Sequence, residues 1–368
     1  MRIICTQENL IKGLNVVSRL AGKNISLPIL NNILIKTEGG LIKLISTNLD
    51  IGIKTTLRGK VESEGEITVG AKIFTEYVAL LTGGNVEISV DNNNILIKTE
   101  NQQTTIKGQG TDDFPVIPWL ESGNEIELGS ETLKEGLSQV INSASYNNVR
   151  PEFSGILMVV NKDNLVLAAT DSYRLAEKNI KIVKNNLNQE KAYKIAPLKA
   201  LQEVIRICGD GEEPVKIKFG ESQIVFGFKE TTIMSRLIEG NYPDYKEIIP
   251  NGWKTRVVAE KSALTTQIKT ASLFSRAGIN DVLLEFNKNN NIIISAANAQ
   301  CGENKSTVEA IIEGENNSAV FNYKYFLDGL QNINQKKIVI EVNSSDLPVI
   351  LRPENDNNYL YLIMPIRR

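Results

Sequence analysis

The 368-residue chain carries 41 basic and 43 acidic side chains, 42% hydrophobic residues and no histidine. At about 150 residues per domain it should form two or three domains, and its balanced composition excludes collagen, a supercharged tail or a disordered chain. Without histidine there is no Ser-His-Asp or Cys-His nucleophile, no imidazole zinc site and no imidazole general base.

In chain order, the first amphipathic segment sets Leu10, Leu14, Val17 and Ala21 on one face at spacings of three and four, which predicts a helix over 7–23. Residues 29–49 read as strand, polar turn (Glu38-Gly39-Gly40) and strand, and a second helix is expected at Lys72–Leu81. After Gly83-Gly84-Asn85 comes the alternating strand Val86–Val90. The pattern then recurs. Leu133, Leu137, Val140 and Ile141 form an apolar helical face, Phe153–Asp171 a hairpin, Pro197–Ile207 a helix and Val215–Phe219 a strand. A third round has Leu264, Ile268 and Ala271, the hairpin Val282–Ala297, the helix Tyr323–Leu330 and the strand Ile338–Val342.

Aligning Leu34, Leu157 and Leu284 gives offsets of 123 and 127, close to one third of the 368 residues, so the chain reads as three tandem copies. Breaks near Trp119–Asn124 and Pro250–Trp253 divide it into domains 1–122, 123–252 and 253–368. Short strands joined by tight turns pair antiparallel, and six helices are too few to cover both faces of that much sheet. The expected class is α+β, each copy with two helices on one side of antiparallel sheets.

Cys5, Cys208 and Cys301 are odd in number and far apart, which fits neither a disulfide framework nor a metal pair and points to a reducing cytoplasm. The longest aliphatic run, Ile156–Val160, is far shorter than the roughly twenty residues a membrane helix needs, so neither a membrane span nor a signal peptide is expected. Gly302-Glu-Asn-Lys305-Ser306-Thr307 lacks the glycine and spacing of a phosphate loop. Asp112-Asp113 and Glu212-Glu213 read as solvated loop acids, and no calcium loop supports them. No metal and no cofactor is implied.

The helix polar faces carry a bias. Lys12, Asn15, Arg19 and Lys23 form one stripe; Lys261, Thr265, Lys269, Ser272 and Arg276 form another. Over the six expected helices the bases are Lys12, Arg19, Lys23, Lys72, Lys134, Lys199, Arg206, Lys261, Lys269, Arg276 and Lys324. Against them stand Glu8, Glu76, Glu131, Glu135, Glu203, Glu260 and Asp328, a surplus of +4 in a chain of net charge −2. A single charged stripe ordinarily solvates a surface helix. Its repetition brings nucleic acid into consideration.

Four separated motifs carry a resemblance: Leu27-Pro-Ile-Leu-Asn-Asn-Ile-Leu34, Ala169-Thr-Asp-Ser-Tyr-Arg-Leu-Ala176, the segment Leu237–Pro250 and the terminal Tyr361-Leu-Ile-Met-Pro-Ile-Arg-Arg368. In these the whole chain resembles the bacterial sliding clamps, the beta subunits of replicative DNA polymerase III. The resemblance implies the DNA clamp fold and a head-to-tail homodimeric ring. It also implies helices facing double-stranded DNA without sequence specificity, and no catalytic activity. A cleft between domains two and three would take short Leu/Phe-containing peptides of the replicative DNA polymerase, the clamp loader, repair polymerases and mismatch-repair proteins. Position by position the cleft falls on Phe153, Thr170, Ser172, Tyr173, Arg174, Leu175, Pro243, Ile248, Ile279, Pro348, Leu362, Ile363, Met364, Pro365, Ile366 and Arg367. The bases listed above, Lys324 excepted, would face DNA. Thr104 and Ile106 would meet Leu273 and Phe274 of the other chain. Tyr173 stands where a histidine is common, and Glu247 replaces a basic residue seen in some members.

Two other classes compete. An enzyme would have Asp171 and Arg174 as its acid and base, although that pair reads better as fixing a turn; an adhesion module built of repeats would need export, for which no signal is seen.

Overall fold

The computed structural model describes residues 1–368 apart from 23–25, 121, 146–149, 188–190, 210, 212 and 368. One element order recurs three times. The first third runs β1 (Arg2–Thr6), α1 (Gln7–Val17), β2 (Asn32–Glu38), β3 (Leu41–Thr47), β4 (Ile51–Leu57), β5 (Lys60–Ser63), β6 (Gly65–Gly70), α2 (Ala71–Ala79), β7 (Asn85–Asp91), β8 (Asn94–Lys98) and β9 (Gln103–Gln109). The second runs β10 (Asn124–Gly129), α3 (Ser130–Ile141), β11 (Gly155–Val160), β12 (Asn164–Thr170), β13 (Arg174–Lys181), β14 (Lys184–Asn186), β15 (Ala192–Pro197), α4 (Leu198–Ile207), β16 (Pro214–Phe219), β17 (Gln223–Gly227) and β18 (Thr231–Arg236). The third runs β19 (Thr255–Glu260), α5 (Lys261–Ser272), β20 (Asp281–Asn287), β21 (Asn291–Asn298), β22 (Gly302–Gly314), β23 (Asn317–Asn322), α6 (Tyr323–Gln331), β24 (Lys337–Val342), β25 (Val349–Pro353) and β26 (Tyr359–Ile363). The long β22 does the work of two strands, pairing with β21 up to Glu309 and with β19 from Ala310.

Local chemistry explains the helix ends. At α1 the Thr6 hydroxyl accepts from the Asn9 N–H at 3.2 Å, an N-cap, and Leu10, Leu14 and Val17 are fully buried. The helix ends at Val17 rather than near residue 23, because its last carbonyls have tertiary donors. Ser46 Oγ donates to Val17 O (2.8 Å), and Arg206 donates to Asn15 O (2.9 Å) and Val16 O (2.7 Å). Gly13 lets α1 approach β4: a Cβ there would come within 2.1 Å of Leu57 Cδ2.

Contacts divide the chain into two compact units: Met1–Glu131 with Val183–Asn188 and Lys199–Leu237, and Thr132–Ile182 with Gln189–Leu198 and Ile238–Arg368. The first unit holds fourteen strands in the order β14-β10-β16-β17-β18-β4-β3-β2-β6-β9-β8-β7-β1-β5. The second holds twelve, β15-β11-β12-β13-β26-β25-β24-β19-β22-β21-β20-β23. The described pairings are antiparallel, those between thirds included: β4 with β18 in the first unit, β13 with β26 in the second. Helix α1 packs on β3 and β4, and α5 on β21 and β22. No helix among the described residues is long and apolar enough to cross a membrane.

The register corrects one alignment. Asn32, Gly155 and Asp281 each lie opposite the residue before the second helix of their copy (Gly70, Pro197 and Asn322). The equivalent of Leu34 and Leu157 is therefore Leu283, not Leu284, and the offsets are 123 and 126. A one-residue slip moves a side chain to the other face of its sheet.

Candidate functional site

Within the second unit the turn between β12 and β13 is locked by its own side chains. Thr170 Oγ1 donates to Arg174 O (2.7 Å) and accepts from the Ser172 N–H (3.1 Å), and Ser172 adopts a positive φ of 78°. Asp171 Oδ1 accepts from the N–H groups of Tyr173 (3.0 Å) and Arg174 (3.1 Å), while its Oδ2 accepts from Arg174 Nε (2.9 Å). The other arm of the guanidinium donates to Asp328 on α6, and its centre sits 4.6 Å from the Tyr325 ring. Burial alone would lower the Arg174 pKa. The Tyr361 oxygen and the Asp171 and Asp328 carboxylates outweigh it and raise the pKa, so the cation persists. The expected turn-fixing role of Asp171 and Arg174 is what the geometry has.

Beside this turn lies an apolar floor. Leu175 and Leu362 face each other across β13 and β26, Ile350 adjoins Leu362 on β25, and Leu157, Ala168, Ile195, Tyr245 and Leu360 complete a buried cluster. Met364, half-buried, packs on it with Tyr242 and Ile249. Phe153 meets Tyr242 edge-on at 5.9 Å, and Tyr242 meets Tyr245 at 6.5 Å. Tyr245 is fixed by donating to Glu177 Oε2 at 2.5 Å; burial and that hydrogen bond both raise its pKa. At the surface Tyr173 (62% exposed) stacks on Tyr325 at 6.2 Å, Ile248 (45% exposed) ends the short turn Tyr245–Ile248, and Pro243 is exposed just before it.

The expected cleft residues thus differ in what they can offer. Leu175, Leu362, Ile363, Pro348 and Pro365 are buried, Thr170 and Ser172 belong to the turn, and Arg367 is exposed. Past β26 the Met364 N–H donates to Tyr173 O (2.9 Å) and the Ile366 N–H to Val320 O (2.7 Å), which ties the terminal segment down on both sides. Ile279, 41% exposed beyond α5, is not part of the apolar cluster. Sequence reasoning missed Tyr242, Tyr245 and Ile350 of the floor, and Tyr325 and Asp328 behind Arg174. The last two share an α6 face at i, i+3, a signal that was available.

The basic residues also divide. Lys12, Arg19, Lys72, Lys199 and Lys269 are exposed, and Lys134 is half-buried. Arg206 holds Glu203 and the end of α1, Lys261 Nζ donates to Ile333 O (2.7 Å), and Arg276 pairs with Asp281, so these three serve the fold. Lys23 lies outside the described residues. Arg19 and Arg276 fall beyond the ends of α1 and α5, and Glu260 precedes α5. Among the described residues eight of these bases and six of the acids lie in the helices, a surplus of +2.

Of the four expected interface residues, Ile106 is buried and Thr104 half-buried on β9, while Leu273, 74% exposed, caps α5 and Phe274 follows it. A Cβ at Gly302 would lie 3.9 Å from the Phe274 ring, which puts that ring at the start of β22.

Three family profiles match in order: the N-terminal domain of the DNA polymerase III beta subunit over 1–118, its central domain over 127–244 and its C-terminal domain over 246–367. The Beta sliding clamps of Bacillus subtilis and of Synechocystis are 29% and 28% identical to the chain. The alignments cover all of this chain and 100% and 99% of those proteins. The crystal structure of the Bacillus subtilis DNA polymerase sliding clamp superposes with a TM-score of 0.95 at 28% identity, covering 100% of this chain and 99% of that one. That of a putative DNA polymerase III beta subunit from Eubacterium rectale gives 0.93 at 29% identity, with both chains covered in full. With its fold and all three domain profiles in agreement, the chain belongs to the DNA polymerase III beta subunit family, the bacterial sliding clamps of replication.

Proposed function

We propose that the protein is a cytoplasmic processivity factor without catalysis of its own: a homodimeric ring of domains 1–122, 123–252 and 253–368 that slides on duplex DNA. The observation that carries this is a repeated strand edge. In the first two copies the fourth strand of the pattern (β4, β13) pairs with the last strand of the next copy (β18, β26). The third such pair would join the first part of β22 to β9, and among the described residues both edges are unpaired there within one chain. Two chains supply each other's missing partner head to tail, and the twofold operation closes the ring with both of these edges paired.

DNA would be held by topology. A chain of net charge −2 with a helix surplus of +2 neutralises few phosphates, and such contacts weaken steeply with salt. Lys12, Arg19, Lys72, Lys134, Lys199 and Lys269 are the candidates to face it. The cleft around Leu175, Leu362 and Met364 would take one or two apolar side chains of a partner peptide, each gaining about 1.5–3 kcal/mol. After ordering costs this leaves roughly micromolar affinity, weak enough for the polymerase, clamp loader and repair proteins to exchange.

Clamps loaded on circular duplex should stay bound at moderate salt and be lost once the DNA is linearised. Equal loss from both forms would sink the sliding-ring reading.

A further inference from the structure

The two closed junctions share one register, and it can be carried to the open one. Thr104, Ile233 and Tyr361 are equivalent, lying opposite Ile97, Phe226 and Leu351 of the preceding strand. On the other edge Ile53, Ala176 and Asn304 are equivalent, opposite Ser46, Ala169 and Ala296. Within the chain Ile53 pairs with Ile233, and Ala176 with Tyr361. Resting on the ring reading, we propose that the same register joins the two chains, setting Thr104 of one against Asn304 of the other in a buried polar pair.

Three observations support it. The Arg236 N–H donates to Asp50 O and the Met364 N–H to Tyr173 O, both at 2.9 Å. The third member of that series is the Lys107 N–H donating to Cys301 O of the other chain. The Gly108 N–H points inward to Asn93 O and the Ala310 N–H to Asn290 O. By strand alternation, Gln103, Thr105 and Lys107 on one edge, and Glu303 and Lys305 on the other, then present their hydrogen-bonding groups outward, as this register requires. Finally, Asn304 Oδ1 and Ser306 Oγ are buried with no hydrogen-bond partner. Buried polar atoms are normally paired, and in this register a turn of the Asn304 amide toward the edge lets its Oδ1 accept from the Thr104 hydroxyl. Ile106 falls opposite Gly302, where the Phe274 ring already lies.

Where the closed junctions bury Ile53 with Ile233 and Ala176 with Tyr361, the open one sets a hydroxyl against an amide. Such a contact selects its partner: a slipped register or a foreign strand leaves Asn304 Oδ1 unpaired, at the full cost of a buried unsatisfied acceptor. The surface fits a second copy of this chain in one alignment.

Cys5 and Cys208 are buried, so Cys301 is the exposed thiol. Opposed residues of a hydrogen-bonded antiparallel pair lie about 5.5 Å apart at Cα, within disulfide reach. Under mild oxidation the full-length Lys107→Cys variant should give a covalent dimer through Cys301, and Thr105→Cys, two residues away, should not. A sedimenting dimer in which Lys107→Cys stays unlinked, or both variants link equally, overturns the register while leaving the ring; no dimer in the unmodified protein fails the ring itself. For the polar pair, Thr104→Val should raise the dimer dissociation constant about tenfold or more. Adding Asn304→Val should return it to the starting value or below. A neutral Thr104→Val, or a double variant weaker than the single one, overturns the pair.

Discussion

The turn before β4 and the turn before β13 are the same structure with different neighbours. Asn48 Oδ1 accepts from the N–H groups of Asp50 and Ile51 as Asp171 does from Tyr173 and Arg174, and Leu49 takes a φ of 76° where Ser172 takes 78°. Beside the first turn Leu34, Ile45, Val225 and Met234 form a cluster, and beside the second Leu157, Ala168, Ile350 and Leu362 occupy the same repeat positions. The difference is what covers them. The linker after the first copy lays Phe114, Ile117, Trp119 and Leu120 over its cluster, and a Cβ on Gly52 would meet Ile117 at 2.9 Å. At the second junction Leu175 replaces that glycine, and Tyr242, Tyr245 and Ile249 pack from one side, leaving Tyr173 and Ile248 exposed and Met364 half-covered. One junction is covered by its own linker; at the other the proposed partner cleft would lie over Tyr173, Ile248 and the half-covered Met364.

The largest effect expected from this contrast is on binding. Removing residues 364–368 takes Met364 from the floor and the Ile366 bond to Val320, and should abolish binding of a Leu/Phe partner peptide in fluorescence polarisation while sedimentation still shows a dimer. Micromolar binding by a folded truncation would place the partner site elsewhere. Next comes Leu175→Ala. It empties a fully buried position, and a loss of about 2–5 kcal/mol should appear in denaturant unfolding together with weaker peptide binding.

A smaller difference separates the two turns. Asp171→Ala removes the acceptor of three hydrogen bonds and leaves the part-buried Arg174 with Asp328 as its remaining carboxylate, whereas Asn48→Ala removes a neutral acceptor of two. Losses of about 3 kcal/mol against about 1 kcal/mol are expected. Equal losses would mean that the Arg174 ion pair adds nothing to the second turn.

Much of this was readable beforehand, and the misses share a cause. The three-fold repeat, the hairpins and the Asp171–Arg174 turn depend on residues near in sequence, where period and spacing carry the information. Leu283 and Leu284 are both apolar, so pattern alone could not choose between them; the pairing of Asp281 with Asn322 does. The end of α1 at Val17 depends on Arg206, some 190 residues away. The floor's Ile350 reaches Leu175 through pairings between thirds of the chain, and Tyr245 reaches it from 70 residues further along. The helix charge count included Arg206, Lys261 and Arg276, and composition does not tell a solvated cation from one that also holds a helix end, a carbonyl or a carboxylate.

The smallest effect concerns the lid on the first junction. Lys54 holds its ammonium 4.3 Å from the centre of the Trp119 ring, and its repeat equivalent at the second junction is Glu177, which holds Tyr245. Both positions therefore pin an aromatic residue of the following linker, one by a cation over a ring, the other by a carboxylate on a phenol. Lys54→Met keeps the aliphatic stem over the indole and removes only the charge, so about 0.5–1 kcal/mol should be lost, the range of an exposed cation–π contact. Trp119 emission should shift to the red as the ring loosens, and peptide binding at the second junction should stay unchanged. If Lys54→Met alters peptide affinity, the two junctions are coupled and the self-filled one is more than a plug. If it leaves both emission and stability untouched, the apolar packing of Ile117 and Leu120 holds the linker without help from the ammonium.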